Sequence, residues 1–358
     1  CETVAVVPKP DDPEIVYANC KGRFGRYGQG TGQEKQYYVG FVNLYGVNPA
    51  ELPYRFQRTV PIEVSEHDPG VVYHGSQYVH KTTDEGVTWE AISPDLTAFR
   101  PERQQVSGGP ITRDITGEEH YSVLYSIEES PLDPAIIWTG ANDGPVHVTR
   151  DGGESWTDVT PPDMPEEGRI NIIDPSPHDP AKAYFAGYRT LLGDFTPFIY
   201  KTEDFGESWT LLTDGGNGIP GDFPARVVRE DTEREGLLYA GTEFGIFISF
   251  DDGENWEPFQ FNLPTTPITD MKLKAGDLVV ATMGRGFWIM DDLSPVRQWD
   301  DAVTMGEAHL FQPADAYRLR GAGGYSFTAP GPDEPEWAPT GVYVDYHLSE
   351  AADEVMLE

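Results

Sequence analysis

A chain of 358 residues exceeds what one minimal core needs and suits either two ordinary domains or one large all-β domain. Gly 38 and Pro 31, about a fifth of the chain, make it too turn-rich for a helical bundle, and 12% aromatics is too much core-forming surface for a disordered chain. Lys+Arg 25 against Asp+Glu 60 leaves a formal charge of −35, which repels phosphate backbones and anionic lipid and so argues against nucleic acid or acidic membranes as partners.

No apolar stretch approaches the roughly 20 residues of a membrane helix, so no membrane insertion is expected. The acid excess fits either a salty or extracellular setting or ordinary solubilising charge; only 8 of the 25 basic residues are Lys. In chain order, the first phrase is CETVAVVPKPDDPEIVYANC. Cys1 and Cys20 flank its turn, and a regular hairpin centred between residues 10 and 11 pairs residues whose numbers sum to 21. On that register the two cysteines face each other and can form a disulfide in an oxidising compartment.

The segment DDPEIVYAN (11–19) opens a series continued by HDPGVVYHG (67–75), LDPAIIWTG (132–140), HDPAKAYFAG (178–187), TEREGLLYAG (ending at 241) and KAGDLVVAT (274–282). Each is a turn followed by an apolar strand, and before each lies a short alternating run, such as INIIDPSP or ARVVRED, that reads as a strand. Four of the six then reach a second phrase: TTDEGVTW (82–89), TRDGGESW (149–156), TEDFGESW (202–209) and SFDDGENW (249–256). Each residue of this phrase has a turn role. Asp84, Asp151, Asp204 and Asp251 accept backbone N–H bonds, Gly86, Gly153, Gly206 and Gly253 supply a positive φ, and Trp89, Trp156, Trp209 and Trp256 anchor the hairpin in the core. Every unit therefore reads as four antiparallel strands. Six such units, spaced by about 41 to 65 residues, predict an all-β propeller of six visible blades, with a seventh possible from sequence outside the chain.

The second phrase resembles the Asp-box, or BNR, repeat of sialidases, xyloglucan hydrolases and sortilin-type receptors. The wider wording, including YRFQRTVPIEVSEHDPGVVYHG, VHVTRDGGESWTDVTP, REDTEREGLLYAGTEFGIFISFDDG and DLVVATMGRGFWIMDDLSPVRQ, resembles the large bacterial and archaeal proteins labelled glycosyl hydrolase or sortilin-like BNR-repeat proteins. The resemblance covers about residues 1–320 and implies a long secreted or envelope protein made of propellers with a β-sandwich tail. It says little about activity, because such repeats report fold before function. The first unit carries GRYGQGTGQEKQYYV where the box belongs, so that hairpin is expected to be built differently, and the last passes through GRGFWIMDDLSP without a box. The expected division is a propeller over 1–295, a Gly/Pro-rich linker over 296–340, and the first strands of a sandwich over 341–358 (VYVDYHL and EVMLE). The abrupt start and the incomplete sandwich predict a fragment whose partners include the remaining domains of a longer chain.

In a propeller the first strand of each blade lines the axis, and its start shares one face with the turn between the second and third strands. That face gathers Arg55, Arg58, Arg113, His120, Arg169 and Arg226 near strand starts, and Asp143, Arg189, Glu243 and Arg285 in the turns. Arginine forks suit carboxylates, sulfates and phosphates, so the sequence points to an anionic ligand, either an acidic glycan or a peptide carboxylate. The competing reading is that each Arg neutralises a neighbouring acid and closes the channel. A glycoside hydrolase would need two carboxyl groups flanking one bond, or a Tyr nucleophile with an acidic partner. Asp143, Glu243, Glu118, Glu119 and Tyr121 are candidates, yet none sits in a motif that fixes a catalytic role, and the Arg-Ile-Pro segment of sialidases is absent. The eight histidines show no zinc spacing, FDDGEN lacks the EF-hand spacing, and GAGG has no phosphate-loop Lys. No metal or cofactor is called for. The best reading is a secreted or cell-surface binding and scaffolding propeller, with a glycoside hydrolase as the alternative.

Overall fold

The computed structural model describes residues 5–40, 46–106, 111, 120–315, 341–352 and 354–356. Six antiparallel sheets follow one another as propeller blades. The first holds β1 (Val6–Lys9), β2 (Asp12–Cys20), β3 (Arg23–Gly28) and β4 (Gln33–Tyr38). The second holds β5 (Ile62–Val64), β6 (Val72–Gly75), β7 (Val79–Thr82) and β8 (Glu90–Ala91). The third holds β9 (Leu124–Glu129), β10 (Ile137–Ala141), β11 (Val146–Thr149) and β12 (Thr157–Asp158). The fourth holds β13 (Arg169–Pro175), β14 (Ala183–Tyr188), β15 (Phe198–Thr202) and β16 (Thr210–Leu211). The fifth holds β17 (Ala225–Glu230), β18 (Leu238–Thr242), β19 (Ile246–Ser249) and β20 (Glu257–Pro258). The sixth holds three strands, β21 (Ile268–Lys274), β22 (Asp277–Thr282) and β23 (Phe287–Met290).

The first strands β1, β5, β9, β13, β17 and β21 pack on one another in that order, which makes them the inner wall. No comparable contact joins β1 to β21 among the described residues. The cores lie between blades. Trp138, Ile170, Phe185 and Tyr200 fill the space between the third and fourth. Tyr184, Val228, Leu238 and Trp256 fill the next space, and Tyr239, Ile248, Ile268, Met271 and Val280 the one after.

The recurring Trp turn joins these layers. In its first copy the Thr82 hydroxyl donates to Asp84 Oδ1 (2.8 Å) and accepts the Gly86 amide (3.0 Å). Asp84 accepts the Thr88 amide (2.8 Å) and hydroxyl (2.7 Å). Asp151, Asp204 and Asp251 accept the amides of Ser155, Ser208 and Asn255 in the same way (2.9, 2.8 and 2.8 Å). Hydrogen bonds from the Ser155 side chain and amide hold the Asp151 carboxyl down to about 2. The indole of each later copy reaches back one blade: Trp156 donates to Ile92 O (2.9 Å), Trp209 to Val159 O (2.6 Å) and Trp256 to Leu212 O (3.1 Å). Trp89 donates to Gly86 O of its own turn (2.9 Å).

Ile92, Val159 and Leu212 each follow the short fourth strand of their blade, and their amides donate to Val79, Val146 and Ile199 O of the third strand (2.9, 2.9 and 2.8 Å). Val39 and Phe259 do the same toward Gly22 and Ile246 (3.0 and 2.8 Å). The turn glycine of the next blade lies against this apolar residue. A Cβ on Gly206, which has φ +83°, would stand 2.6 Å from Val159 Cβ. Only glycine combines that backbone conformation with that approach.

One expectation needs correction. The first hairpin pairs Val6 with Ala18, Val7 with Tyr17 and Pro8 with Val16, so the numbers sum to 24 rather than 21. A bulge at Pro8/Lys9, where Lys9 pairs with Asp12, absorbs the difference; Pro13 has no N–H to give the ladder there. Cys20 is disulfide-bonded, and Cys1 lies outside the described residues. Most of the expected linker over 296–340 lies outside the described residues. Residues 294–310 hold α1 (Ser294–Arg297), α2 (Asp301–Met305) and β24 (Ala308–Leu310), and β24 pairs with β25 (Tyr346–Leu348). No sandwich is shown, and residues 354–356 form no strand. Arg297 holds α1 to the fifth blade through Asp231 (2.9 Å) and Glu233 (2.7 Å).

These links predict that Gly206→Ala costs about 1–3 kcal/mol through overpacking and strain. Trp209→Phe, which keeps the ring and removes the indole bond, should cost about 1 kcal/mol. Urea melts of both variants check this; an unchanged midpoint for Gly206→Ala would refute the close inter-blade approach.

Candidate functional site

The inner strands are irregular at one end. In β9, β13, β17 and β21 the ladder to the second strand skips Tyr125, Asn171, Arg226 and Thr269 respectively. Such bulges re-aim side chains, and four in register put a repeated deformation at the mouth of the inner wall.

Around this mouth, Arg169 Nε donates to Asn171 Oδ1 (2.5 Å) while its guanidinium lies 4.5 Å from the Tyr125 ring and 4.9 Å from the Tyr188 ring. Arg226 covers Tyr188 as well, 4.6 Å from its ring centre. Glu243 Oε1 accepts both Arg226 Nε (2.6 Å) and the Tyr188 hydroxyl (2.5 Å). Arg226 thus has a carboxylate partner, whereas Arg169 has aromatic faces and an amide. Burial pulls the Arg169 value down, because no paired acid offsets its desolvation.

The remaining expected residues are placed as follows. Arg55 is buried and links three segments, to Asp95 (2.7 Å), Thr97 (3.2 Å) and Ser122 O (2.9 Å). Arg189 is held by Asp194 (2.9 Å) and by the carbonyls of Pro165 and Glu166. His120 is buried against Phe56 O (3.0 Å), and burial lowers its value. Asp143 is 2% exposed, and neither carboxylate oxygen has a well-formed hydrogen bond; burial raises its value, opposed by the nearby Ser122 hydroxyl. Arg58 is half-buried. Arg285 is exposed, with no ion pair for its guanidinium among the described residues. Arg113, Glu118 and Glu119 lie outside the described residues. The structure therefore joins Arg169, Arg226 and Glu243 through Tyr188 and keeps Arg55, Arg189, His120 and Asp143 in separate local networks. Three of the expected arginines neutralise acids within the chain, as the competing reading held.

A second feature was missed by the sequence reading. Val7, Glu63, Glu128, Asp174, Arg229 and Lys272 occupy one layer of the inner wall, facing Tyr17, Tyr73, Trp138, Tyr184, Tyr239 and Val279 of the neighbouring strands. Arg229 donates to Asp174 (2.8 Å), to Asp270 (3.0 Å) and to Met271 O (2.9 Å). The Glu63 carboxyl is held well above its ordinary value by burial and then by the charge of Glu128. Burial also raises Glu128, opposed by Lys272 and Arg229. The signal was present: Glu63, Glu128 and Asp174 each stand five residues before the turn Asp68, Asp133 and Asp179, in strands that are otherwise largely apolar.

No family model matches the chain, and no curated protein matches it. Among solved structures it is similar to the GH74 xyloglucanase of Xanthomonas campestris, with 17% identity, TM-score 0.55, and 82% of this chain against 46% of that one. It is similar to the GH74 enzyme of Niastella koreensis, with 16% identity, TM-score 0.52, and 81% against 45%. It is also similar to the extracellular domain of a putative hybrid two-component system of B. thetaiotaomicron, with 16% identity, TM-score 0.50, and 83% against 35%. The chain spans less than half the length of these proteins. At such identities the likeness is one of fold, which it supports as a β-propeller. No helix among the described residues is long and apolar enough to cross a membrane.

The inner layer predicts a pH signature. A carboxyl raised in the native state favours folding below the ordinary glutamate value of 4.5 and loses that advantage as pH climbs toward the folded value. Glu63→Gln and Glu128→Gln should therefore stabilise the chain more near about pH 7 than near about pH 4. Denaturant melts at the two pH values check this, and equal shifts at both would contradict it. Arg229→Met, which strands Asp174 and Asp270, should cost about 3–5 kcal/mol in the same assay.

Proposed function

We propose that the chain is an extracytoplasmic binding propeller, part of a longer protein, whose ligand face is the mouth side of the fourth to sixth blades. The observation that carries this reading is Arg169, a guanidinium stacked between Tyr125 and Tyr188 with no carboxylate partner among the described residues. An anionic group of a ligand supplies the missing partner, and the bidentate fork of Arg suits a carboxylate. The loops around it carry apolar side chains in water. Leu191 is 87% exposed, and Leu192, Phe195, Phe244 and Met283 are exposed with it. Phe244 packs against Phe223 with tilted rings 4.5 Å apart, and the Glu243 amide donates to Pro224 O (3.0 Å), so the turn and the strand start share one surface. A rim of Leu, Met and Phe beside a cation suits an acidic protein chain better than a sugar, whose faces call for polar groups beside the rings. An anionic glycan remains the other form of this reading.

Hydrolysis finds less support on this face. Asp143 is buried, and Glu243 is committed to Arg226 and Tyr188. Likeness in fold to xyloglucanases leaves the reaction open, because sites and not folds carry chemistry.

The test exposes an array of uronic, sialylated and sulfated glycans and an array of acidic peptides to the wild type, Arg169→Gln and Leu191→Ser/Leu192→Ser. Binding that weakens with salt and falls at least about tenfold in Arg169→Gln is expected, with the leucine variant losing peptides but not glycans. No ligand on either array, or ligands that Arg169→Gln keeps, would overturn the proposal.

A further inference from the structure

The interface between the first and second blades lacks the link that closes the three interfaces after it. Trp156, Trp209 and Trp256 each donate to a carbonyl of the preceding blade, whereas Trp89 bonds Gly86 O of its own turn. A second departure lies in the same place. In the fourth blade Phe185 faces Tyr200 across β14 and β15, their stacked rings 5.0 Å apart, and in the fifth Ala240 faces Phe247. Counting back from the Thr or Ser that opens each Trp turn, the same places in the second blade hold His74 and His80.

The two imidazoles are sealed between the blades. His74 is fully buried, and the rings of Phe24, Phe56 and Trp89 stand 6.3, 5.7 and 5.6 Å from its own. Neither ring nitrogen of His74 has a hydrogen-bond partner among the described residues, and His80 Nε2 meets the Ser76 hydroxyl (2.7 Å). Tyr54 and Tyr78 face His80 at 4.9 and 6.2 Å. The charged side chains of the surrounding elements are engaged elsewhere. Arg26 and Lys9 pair with Glu85 (2.6 and 3.4 Å), and Arg23 reaches Gln36 (3.5 Å). Asp84 accepts from Thr82 and Thr88, Arg55 pairs with Asp95, Lys81 lies over the Tyr73 ring, and Glu63 belongs to the inner layer. Lys21 and Arg58 are cations and oppose a further positive charge nearby. No carboxylate among the described residues faces either imidazole. Burial, then the charge of the facing His80, pushes His74 down to about 3, and burial pushes His80 down to about 4. The other buried histidines differ: His120 bonds Phe56 O (3.0 Å), and His147 has the charges of Asp158 and Asp95 beside it.

We propose that the interface between the first and second blades is an acid-sensitive joint, closed while His74 and His80 are neutral and opened when they take up protons. A protonated imidazole in the closed joint would be a desolvated cation without a partner. In the open joint it meets water and protonates near its ordinary value of 6.5. The closed form therefore keeps its full advantage above about pH 6.5 and loses it as pH falls toward the two lowered values. From about pH 7 to about pH 5 each histidine raises the open population about 20-fold, and the pair about 500-fold. The interfaces built on Phe185 with Tyr200 and on Ala240 with Phe247 hold no imidazole at these places and stay closed.

A single buried thiol reads the joint. Val72 packs between the first two blades and Val228 between the fourth and fifth, and both are fully buried. No cysteine among the described residues is free to compete. Val72→Cys and Val228→Cys, made separately, are labelled with a dipyridyl disulfide at about pH 7 and about pH 5. Each rate is divided by that of the same chain unfolded in denaturant at the same pH. On acidification the normalised rate should rise at least about a hundredfold at Val72→Cys and less than about threefold at Val228→Cys. Adding His74→Phe/His80→Tyr, which installs the fourth blade's pair, should hold the Val72→Cys rate within about threefold. His74→Leu, closer in size to the native ring, covers the case in which that pair overpacks, and should cut the rise to about 20-fold. A flat rate with both histidines present, an equal rise at the two thiols, or a rise undiminished in either histidine variant would overturn the proposal.

Discussion

The structure depends on the bond between an indole and the carbonyl one blade behind it. A four-stranded blade is a thin, twisted sheet with two apolar faces, and by itself it buries neither. The fourth strand is only two residues long in the second to fifth blades, too short to hold itself in place by ladder bonds. The next blade fixes it from outside. Its Trp donates to the residue just past the strand, and its turn glycine lets the backbone close on that residue's side chain. The Asp of the turn orders the loop that presents both. Order in one blade is therefore borrowed from its neighbour, as in repeat proteins whose stability is a sum of nearest-neighbour terms.

That arrangement explains where the charges go. With 60 acids in 358 residues, an inner wall built from adjacent strands cannot remain apolar and cannot carry acids alone. It carries Glu63, Glu128 and Asp174 on one arc and Arg229 and Lys272 on the other, and Arg229 bridges the two through Asp174 and Asp270. Buried pairs of this kind contribute little net stability, but loss of one partner is expensive. Most of the arginines near the mouth serve the same end. Arg55, Arg189 and Arg226 are answered by Asp95, Asp194 and Glu243, while the stacked Arg169 and the exposed Arg285 have no acid partner among the described residues.

The propeller was legible because its signals are local. Each Trp turn places Asp, Gly and Trp at fixed spacing within eight residues, and each element needs only its own sequence to be recognised. The inner charged layer was equally present in the sequence, five residues before each turn, but it takes on meaning only when the strands are stacked in register. The first hairpin failed for a related reason. Its register was read from a turn centre, and a bulge at Pro8/Lys9 moved it by three. Which arginines are neutralised was the least legible feature. Arg226 and Arg169 occupy similar places at neighbouring strand starts, and only the reach of Glu243 distinguishes them.

A chain built on repetition shows its special places by departures from the repeat. Four inner strands, β9, β13, β17 and β21, share a bulge at the mouth, so the bulge does not distinguish one of these blades from another. Two departures do. At the mouth, Arg169 is a stacked cation without an acid among the described residues, in a protein with acid to spare. At the sixth blade, β23 has no fourth strand beside it among the described residues, and its Phe287 and Ile289 are exposed. Neither departure helps the fold: the first leaves a desolvated charge uncompensated, and the second leaves apolar surface in water. A desolvated cation that costs stability and sits where a ligand would remove the cost is better explained by what binds there than by what it contributes to folding.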